Sequence, residues 1–336
     1  MPRPTIRWWP ALPPCWRRNW RRGRVVGTGG LRPRDAWLVG GALGVAGLLA
    51  LHSVVPNGVG RLGSLLETFL PWLGAAVPGL GCLALLGRSW AGLLACLAPV
   101  AVWLWMFGGM WFSSPPAASD LTVVQHNVAD DNADPAGTAR ALLATRAGLI
   151  AVEELTPAAR PAYQDVLGGS HPHRAVHGTV GLWSAYPLSD VRPVDIRPTG
   201  FPESRRRGLR ATVSAPGGEP AVYVVHLPSV RLGVTGLASA ARDESAALLA
   251  RRIADDPAGR LLVVGDLNGT VRDRGLGPLT SRLGAPASGF AFSWPAGLPV
   301  ARIDQVLGRG VEVPEVSARE ETGSDHLPVL GRVLLR

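Results

Sequence analysis

The chain has 336 residues, in which all 34 basic residues are Arg, 25 are Asp or Glu, and the net charge is +9. Nine arginines precede the first acidic residue, Asp35, so the remainder is formally neutral, which argues against a duplex-binding surface and for a basic segment flanking a membrane. Cys15, Cys82 and Cys96 all precede residue 100, which excludes an internal disulfide or a CxxC metal site in the rest of the chain.

Residues 1–35 form an Arg-rich tail, expected to be cytoplasmic. Residues 36–112 are expected to be a three-helix transmembrane region. The first run, 36–55 (AWLVGGALGVAGLLALHSVV), has no Arg, Asp or Glu and is followed by Pro56-Asn57-Gly58. As a helix rising 1.5 Å per residue it would reach roughly 30 Å, the thickness of a bilayer core. A second run, from about 69 to 87, is interrupted by Pro71 and Pro78; a third, 90–112, has aromatic-rich ends. Three such runs within 80 residues fit neither a soluble helix hairpin nor a signal peptide. Three crossings from a cytoplasmic start place the following chain on the outer face. Residues 113–119 (SSPPAAS) read as a linker, and 120–336 as a catalytic domain.

Within that domain LTVVQHNV reads as a strand. Asp134 and Pro135 then supply the N-cap and first position of a helix through Arg146. GLIAVEEL is a second strand, and Thr156-Pro157 opens a further helix. Strands follow at 180–185, 209–214 and 221–227, a helix at 238–254, and strands at 261–265, 302–307 and 327–335. So many strands with few helices predict packed sheets flanked by helices. The histidines of SHPHRAVH (His171, His173, His177) are placed on a surface loop. SRRRGLR at 204–210 is either a solvated loop or a binder of phosphate or anionic lipid head groups.

Polar side chains collect where these strands end: Asn127, Glu153-Glu154, His226, Asp266 and Asn268, Asp304, and Asp325-His326. Each alone is an ordinary turn or cap residue. Together they could converge at one edge of a sheet sandwich, with carboxylates for a hard cation and imidazoles for proton work.

In this order the motifs VVQHNVADDN, AGLIAVEEL, GTVGLWSAYPL, YVVHLPS, VVGDLNGT, RIDQVL and GSDHLPV resemble the endonuclease/exonuclease/phosphatase (DNase I-like) superfamily over 120–336. The resemblance implies a four-layered α/β sandwich, two packed mixed sheets flanked by helices, preceded here by three transmembrane helices. It implies Mg²⁺, with Mn²⁺ as a substitute, held or flanked by Asn127, Glu154 and Asp325. Glu153 stands where the family has glutamine, so Glu154 is taken as the ligand by position. By the same analogy His326, oriented by Asp304, serves as general base or transition-state stabiliser. Asp266 orients the water, Asn268 fixes the phosphate, and His226 donates to a phosphoryl oxygen.

The superfamily cleaves nucleic acids, inositol phosphates and phospholipids, so the fold leaves the substrate open. The neutral domain and the short linker favour a membrane lipid or lipid-linked polyprenyl phosphate over nucleic acid. The architecture resembles actinobacterial teicoplanin-resistance membrane proteins of the VanJ type, which implies a multi-pass protein acting at the outer face in cell-wall lipid turnover and glycopeptide resistance. A membrane-tethered nuclease and a non-enzymatic lipid-binding module are the alternatives.

Overall fold

The computed structural model describes residues 32–112, 118–204 and 206–335. Nearly all of the expected tail and linker, and Cys15, lie outside the described residues.

The helical region differs from three straight spans. Helix α1 (Pro33–Ala50) carries Asp35 in its first turn and gives way to a 3-10 turn at His52–Val54, short of the expected Val55. Helix α2 (Leu62–Thr68) is followed by a 3-10 turn at Leu70–Ala75 and by α3 (Ala76–Leu86). The chain bends by 69° at the break between α2 and Leu70–Leu86. Pro71 lies just after the break and has no N–H to continue a helical ladder. Helices α4 (Trp90–Ala95) and α5 (Leu97–Phe112) run together as one apolar helix of 23 residues, long enough to cross a membrane. Among the described residues that is one candidate span, or two if the bent pair counts as one. The apolar surface is nonetheless concentrated here. Twenty of the 26 exposed large hydrophobic side chains lie between Trp37 and Phe112.

The rest is a sandwich. Its strands are β1 (Leu121–Asn127), β2 (Leu149–Glu153), β3 (His173–His177), β4 (Val180–Ser184), β5 (Leu188–Pro193), β6 (Gly208–Val213) and β7 (Ala221–Val225), a short hairpin β8 (Leu232–Gly233) and β9 (Gly236–Leu237), then β10 (Leu261–Asp266), β11 (Asp304–Arg309), β12 (Glu312–Ala318) and β13 (Val329–Leu334). One sheet has the order β12-β13-β1-β2-β4-β3, the other β11-β10-β7-β6-β5. Both are mixed, because β1 and β2 run parallel, as do β7 and β10, while their other neighbours are antiparallel.

Alternation along the strands builds the layers. In β1, Val123 joins the core between the sheets with Leu149, Leu182, Val224 and Val264. Its neighbour Val124 faces the other way, into a cluster with Leu142, Tyr163 and Leu167 from α6 (Pro135–Ala144) and α7 (Arg160–Leu167). Helices α8 (Ala240–Ala254) and α9 (Gly277–Thr280) cover the second sheet through Leu249, Ile253 and Leu279. These make the four layers.

Asp134 caps α6 by accepting from Gly137 N at 2.8 Å, with Pro135 at the first position. Thr156 instead closes a turn, bonding Ala159 N, and α7 begins only at Arg160. The histidine cluster is not a loop: His173 and His177 lie on the edge strand β3, and buried His171 bonds the Ala147 carbonyl through Nε2 at 2.9 Å. The pairing of β3 with β4 is long-range and leaves no local signature in SHPHRAVH.

The helical region is docked on the sandwich. Arg274 meets Glu67 through Nε to Oε2 at 2.9 Å and Nη2 to Oε1 at 2.8 Å. Trp72 Nε1 donates to Val300 O at 2.7 Å, and Gly289 N to Met110 O at 3.1 Å. Phe290 packs with Trp103, Phe107 and Trp111.

Candidate active site

Strand direction decides which side chains can meet. Strands β1 and β2 are parallel and end together, with Asn127 and Glu153 in register. Strands β7 and β10 are likewise parallel, and His226 and Asp266 end them at the same edge. Strand β11 is antiparallel to β10 and starts there, Asp304 opposite Asp266; β13 is antiparallel to β1, so the preceding Asp325-His326 also falls there.

Asn127 Nδ2 lies 3.1 Å from both Glu154 Oε1 and Asp266 Oδ2, tying the sheets together. His226 Nε2 is 3.5 Å from Asp266 Oδ2 and 3.7 Å from Glu154 Oε1. His326 bonds Asp304 Oδ2 through Nδ1 at 2.8 Å, and its Nε2 stands 3.8 Å from Asp266 Oδ2. Seven of the eight expected residues therefore form one constellation once Asn268 is included, its backbone N bonding Asp266 Oδ1 at 2.9 Å. Asp325 is the outlier. Its side chain is exposed and makes no hydrogen bond or ion pair among the described residues, although its charge still raises His326.

Asn268 departs from the expected role. Its amide nitrogen is committed to Leu227 O at 3.0 Å and Asp266 Oδ2 at 3.1 Å. It therefore fixes the aspartate, with no donor left for a phosphate.

The two adjacent glutamates are separated by the backbone. Glu154 has φ +58, and its side chain stays partly exposed beside Asn127. Glu153 is fully buried and accepts from Gln125 Nε2, which also donates to Asp304 Oδ1, both at 2.8 Å. Burial above all, with the nearby Asp304 and Asp266 charges, pushes Glu153 well above the carboxylate range against the Gln125 bond. Burial thus favours the protonated form of Glu153, and the glutamate facing the centre is Glu154.

Charge is unevenly balanced. Burial raises Asp266 most; the His326 charge opposes this and the Asp304 charge adds to it, leaving Asp266 at about 7. Burial would lower His326, but the Asp304 and Asp266 carboxylates outweigh it and lift it to about 10. Asp304 stays below its ordinary value despite burial, because His326, Ser293 and Gln125 all favour its charge.

Asp266, Asp304 and His326 bring one ligand atom each within 4.8 Å of one another. With Glu154 and Asn127 beside Asp266 the donors are mainly oxygens, the set that suits a hard divalent cation. A cation would also compensate the carboxylate charge that holds Asp266 near neutrality.

Four contributors have no motif of their own. Ser293 donates to Asp304 Oδ2 at 2.6 Å, Gln125 bridges Glu153 and Asp304, and Ser324 Oγ donates to Asn127 O at 2.7 Å. Arg207 lies with Nη1 3.4 Å from His226 Nε2, so the arginine run at 204–210 reaches the centre.

A mixed-sheet sandwich with an Asn/Glu/Asp/His cluster at one edge is the framework of a phosphoester hydrolase. Residues 124–326 match the endonuclease/exonuclease/phosphatase family, and the chain belongs to that family. Solved structures share the fold at low identity. Sphingomyelinase C from Streptomyces griseocarneus is 17% identical, with a TM-score of 0.50, over 64% of this chain and 99% of that one. A humanized D. rerio TDP2 is 17% identical, with a TM-score of 0.52, over 63% and 98%. A beta toxin from Staphylococcus aureus with bound magnesium ions is 16% identical, with a TM-score of 0.50, over 64% and 99%. No curated protein matches the chain.

Proposed function

We propose that this protein is a membrane-anchored, Mg²⁺-dependent hydrolase of a lipid phosphate or pyrophosphate. The observation that carries the reading is the docking of the apolar helices on the sequence flanking the site: Glu67 grips Arg274, six residues beyond Asn268, and Phe290 inserts among Trp103, Phe107 and Trp111. A soluble substrate gives no reason for that arrangement, whereas tethering concentrates a substrate confined to the same surface. The sphingomyelinase C and beta toxin structures support the hydrolase and its magnesium through the shared fold.

Glu154, Asn127 and Asp266 would hold the cation, with Asp304 and His326 adjoining Asp266. When bound, the cation supplies positive charge to the phosphoryl oxygens. Asp266, fixed by Asn127 and Asn268, takes the proton of the attacking water. His326 is an imidazolium anchored on Asp304 and presents Nε2–H to the charge that develops in the transition state. Arg207 supplies further positive charge, and His226 hydrogen bonding, for phosphate oxygens. Asp325, exposed beside His326, adds a carboxylate at the rim.

The catalytic domain acts on the outer face. A single crossing by Trp90–Phe112, like three, leaves it on the side opposite the Arg-rich start, whereas crossing by the bent pair as well would return it to the same side. That orientation suits a polyprenyl substrate of cell-wall assembly, and the resemblance to VanJ-type teicoplanin-resistance proteins points the same way.

The test is Mg²⁺-dependent phosphate release by the full chain in nanodiscs, with polyprenyl pyrophosphate, phospholipid and duplex DNA in parallel. Lipid pyrophosphate should be preferred and the preference lost in His326→Ala. Ready cleavage of DNA with no action on the lipids would make the protein a tethered nuclease. A C-terminal reporter active only outside the cell tests the orientation.

A further inference from the structure

Resting on the lipid-phosphate reading, we propose that the apolar groove between the helices and the loop 289–302 holds the substrate's hydrocarbon chain, and that Arg272 and Arg302 supply the positive charge that draws its anionic head group toward the catalytic edge. The groove has a volume of about 600 Å³ and is lined by Trp72, Val100, Trp103 and Leu104 from the helices and by Phe290 and Phe292 from the loop. That volume lies within the ~300–1,000 Å³ of small-molecule sites. Neither the helices nor the sandwich forms it alone.

A groove beside a membrane can be covered by any bilayer lipid; the charge at its end singles out an anionic one. A small adjoining cleft shares Pro71, Phe290 and Phe292 with the groove and is lined by Arg272, Arg302 and Glu67, whose carboxylate is taken by Arg274. Neither arginine is ion-paired among the described residues. Arg302 is only 5% exposed, and its Nη1 donates to the Gly289 carbonyl at 2.9 Å. Arg272 donates to Met106 O at 3.0 Å and stands 5.6 Å from the Phe107 ring centroid. Arg272 is exposed at the mouth of the cleft, whereas the guanidinium of Arg302 is buried without a counter-charge, which is costly, and an anionic head group nearby would offset it.

The cleft also belongs to the catalytic strands. Arg272 follows Asn268 by four residues and Arg302 precedes Asp304 by two, while Gln305 Nε2 ties them together through Gly269 O and Arg302 O. In the same loop Phe292 stacks on Trp72, with ring centroids 5.6 Å apart, and its neighbour Ser293 holds Asp304. The chain groove and the reacting centre thus share one segment.

The experiment compares the full chain and two variants, Leu104→Trp and Arg272→Gln, in nanodiscs. Substrates are geranylgeranyl phosphate, oleoyl lysophosphatidic acid and p-nitrophenyl phosphate. Leu104→Trp fills the groove from its exposed wall, and the ratio of kcat/KM for the lipid over the soluble ester should fall at least tenfold. Arg272→Gln should raise KM for the lipid phosphates at least tenfold. The lipid with the larger loss identifies the prenyl or acyl source. On the unmodified protein, a diazirine-bearing prenyl phosphate should label peptides containing Trp103 or Phe290, competed by geranylgeranyl phosphate and not by geranylgeraniol. If the parent protein prefers lipid phosphates while Leu104→Trp keeps that preference, or if geranylgeraniol competes equally, the groove assignment is overturned and the lipid reading stands. Equal efficiency of the parent protein on all three substrates overturns both.

Discussion

The imidazole Nδ1 of His326 lies 2.8 Å from Oδ2 of Asp304, and the same carboxylate accepts from Ser293 Oγ at 2.6 Å and Gln125 Nε2 at 2.8 Å. Three partners from three separate segments hold one buried charge. That charge keeps His326 protonated where burial alone would discharge it.

Asp304→Asn should therefore lower the His326 titration from about 10, since the Asp304 charge is lost while burial remains and only Asp266 and Asp325 still oppose it. Turnover should fall by about 10²–10⁴, the contribution of a positioned acid–base group. Histidine nitrogen chemical shifts against pH read the first effect and phosphate release the second. An unchanged titration would show that Asp304 is not the controlling charge.

The paired glutamates should separate cleanly. Glu154→Gln removes a charged oxygen donor and should raise the half-saturating Mg²⁺ concentration, by about 10–100-fold if it follows other shell substitutions. Glu153→Gln replaces a buried side chain bonded to Gln125 by another of the same shape, so the Mg²⁺ requirement should change less than threefold. A Mg²⁺ titration of both variants decides the matter, and the reverse ranking would make Glu153 the ligand.

Asp256 gives a pH test away from the centre. It is buried and accepts from Tyr223 and from Arg210 Nε at 3.1 Å. Burial alone would raise it, but these bonds reverse the effect and bring it to about 2. A folded value below the unfolded ~3.9 stabilises at higher pH, and that contribution is lost as pH falls toward 2. Asp256→Asn should cost about 2 kcal/mol at neutral pH. In detergent, its melting-temperature deficit should shrink at pH 2.5; a constant deficit would mean that the charge contributes nothing.

Gly265 precedes Asp266 with φ +140, and a Cβ built on it would stand 1.9 Å from the Val225 carbonyl oxygen. Gly265→Ala forces apart the strand pair that carries His226 and Asp266. It should cost about 3 kcal/mol and reduce turnover. Thermal melts with activity assays check this, and a stable, fully active variant would show that the strand end relaxes freely.

Much of the site is legible along the chain because its residues sit at strand ends, which alternation and turn chemistry mark locally. VVGDLNGT shows Asp266 and Asn268 leaving a strand, and RIDQVL and GSDHLPV show Asp304 and His326 leading into one. The sequence by itself also determined the neutral catalytic domain, the apolar first third and the cap of α6. Only the tertiary structure decided which of two neighbouring glutamates is buried, because that depends on φ at Glu154 and on Gln125 of the adjacent strand. Ser293 and Arg207 reach the centre by long-range packing, and no local spacing announces them. Apolar runs are read from composition, but whether a helix stays straight is not: the break at Leu70 is set against Trp72–Val300 and Glu67–Arg274, contacts made with residues some 200 positions away.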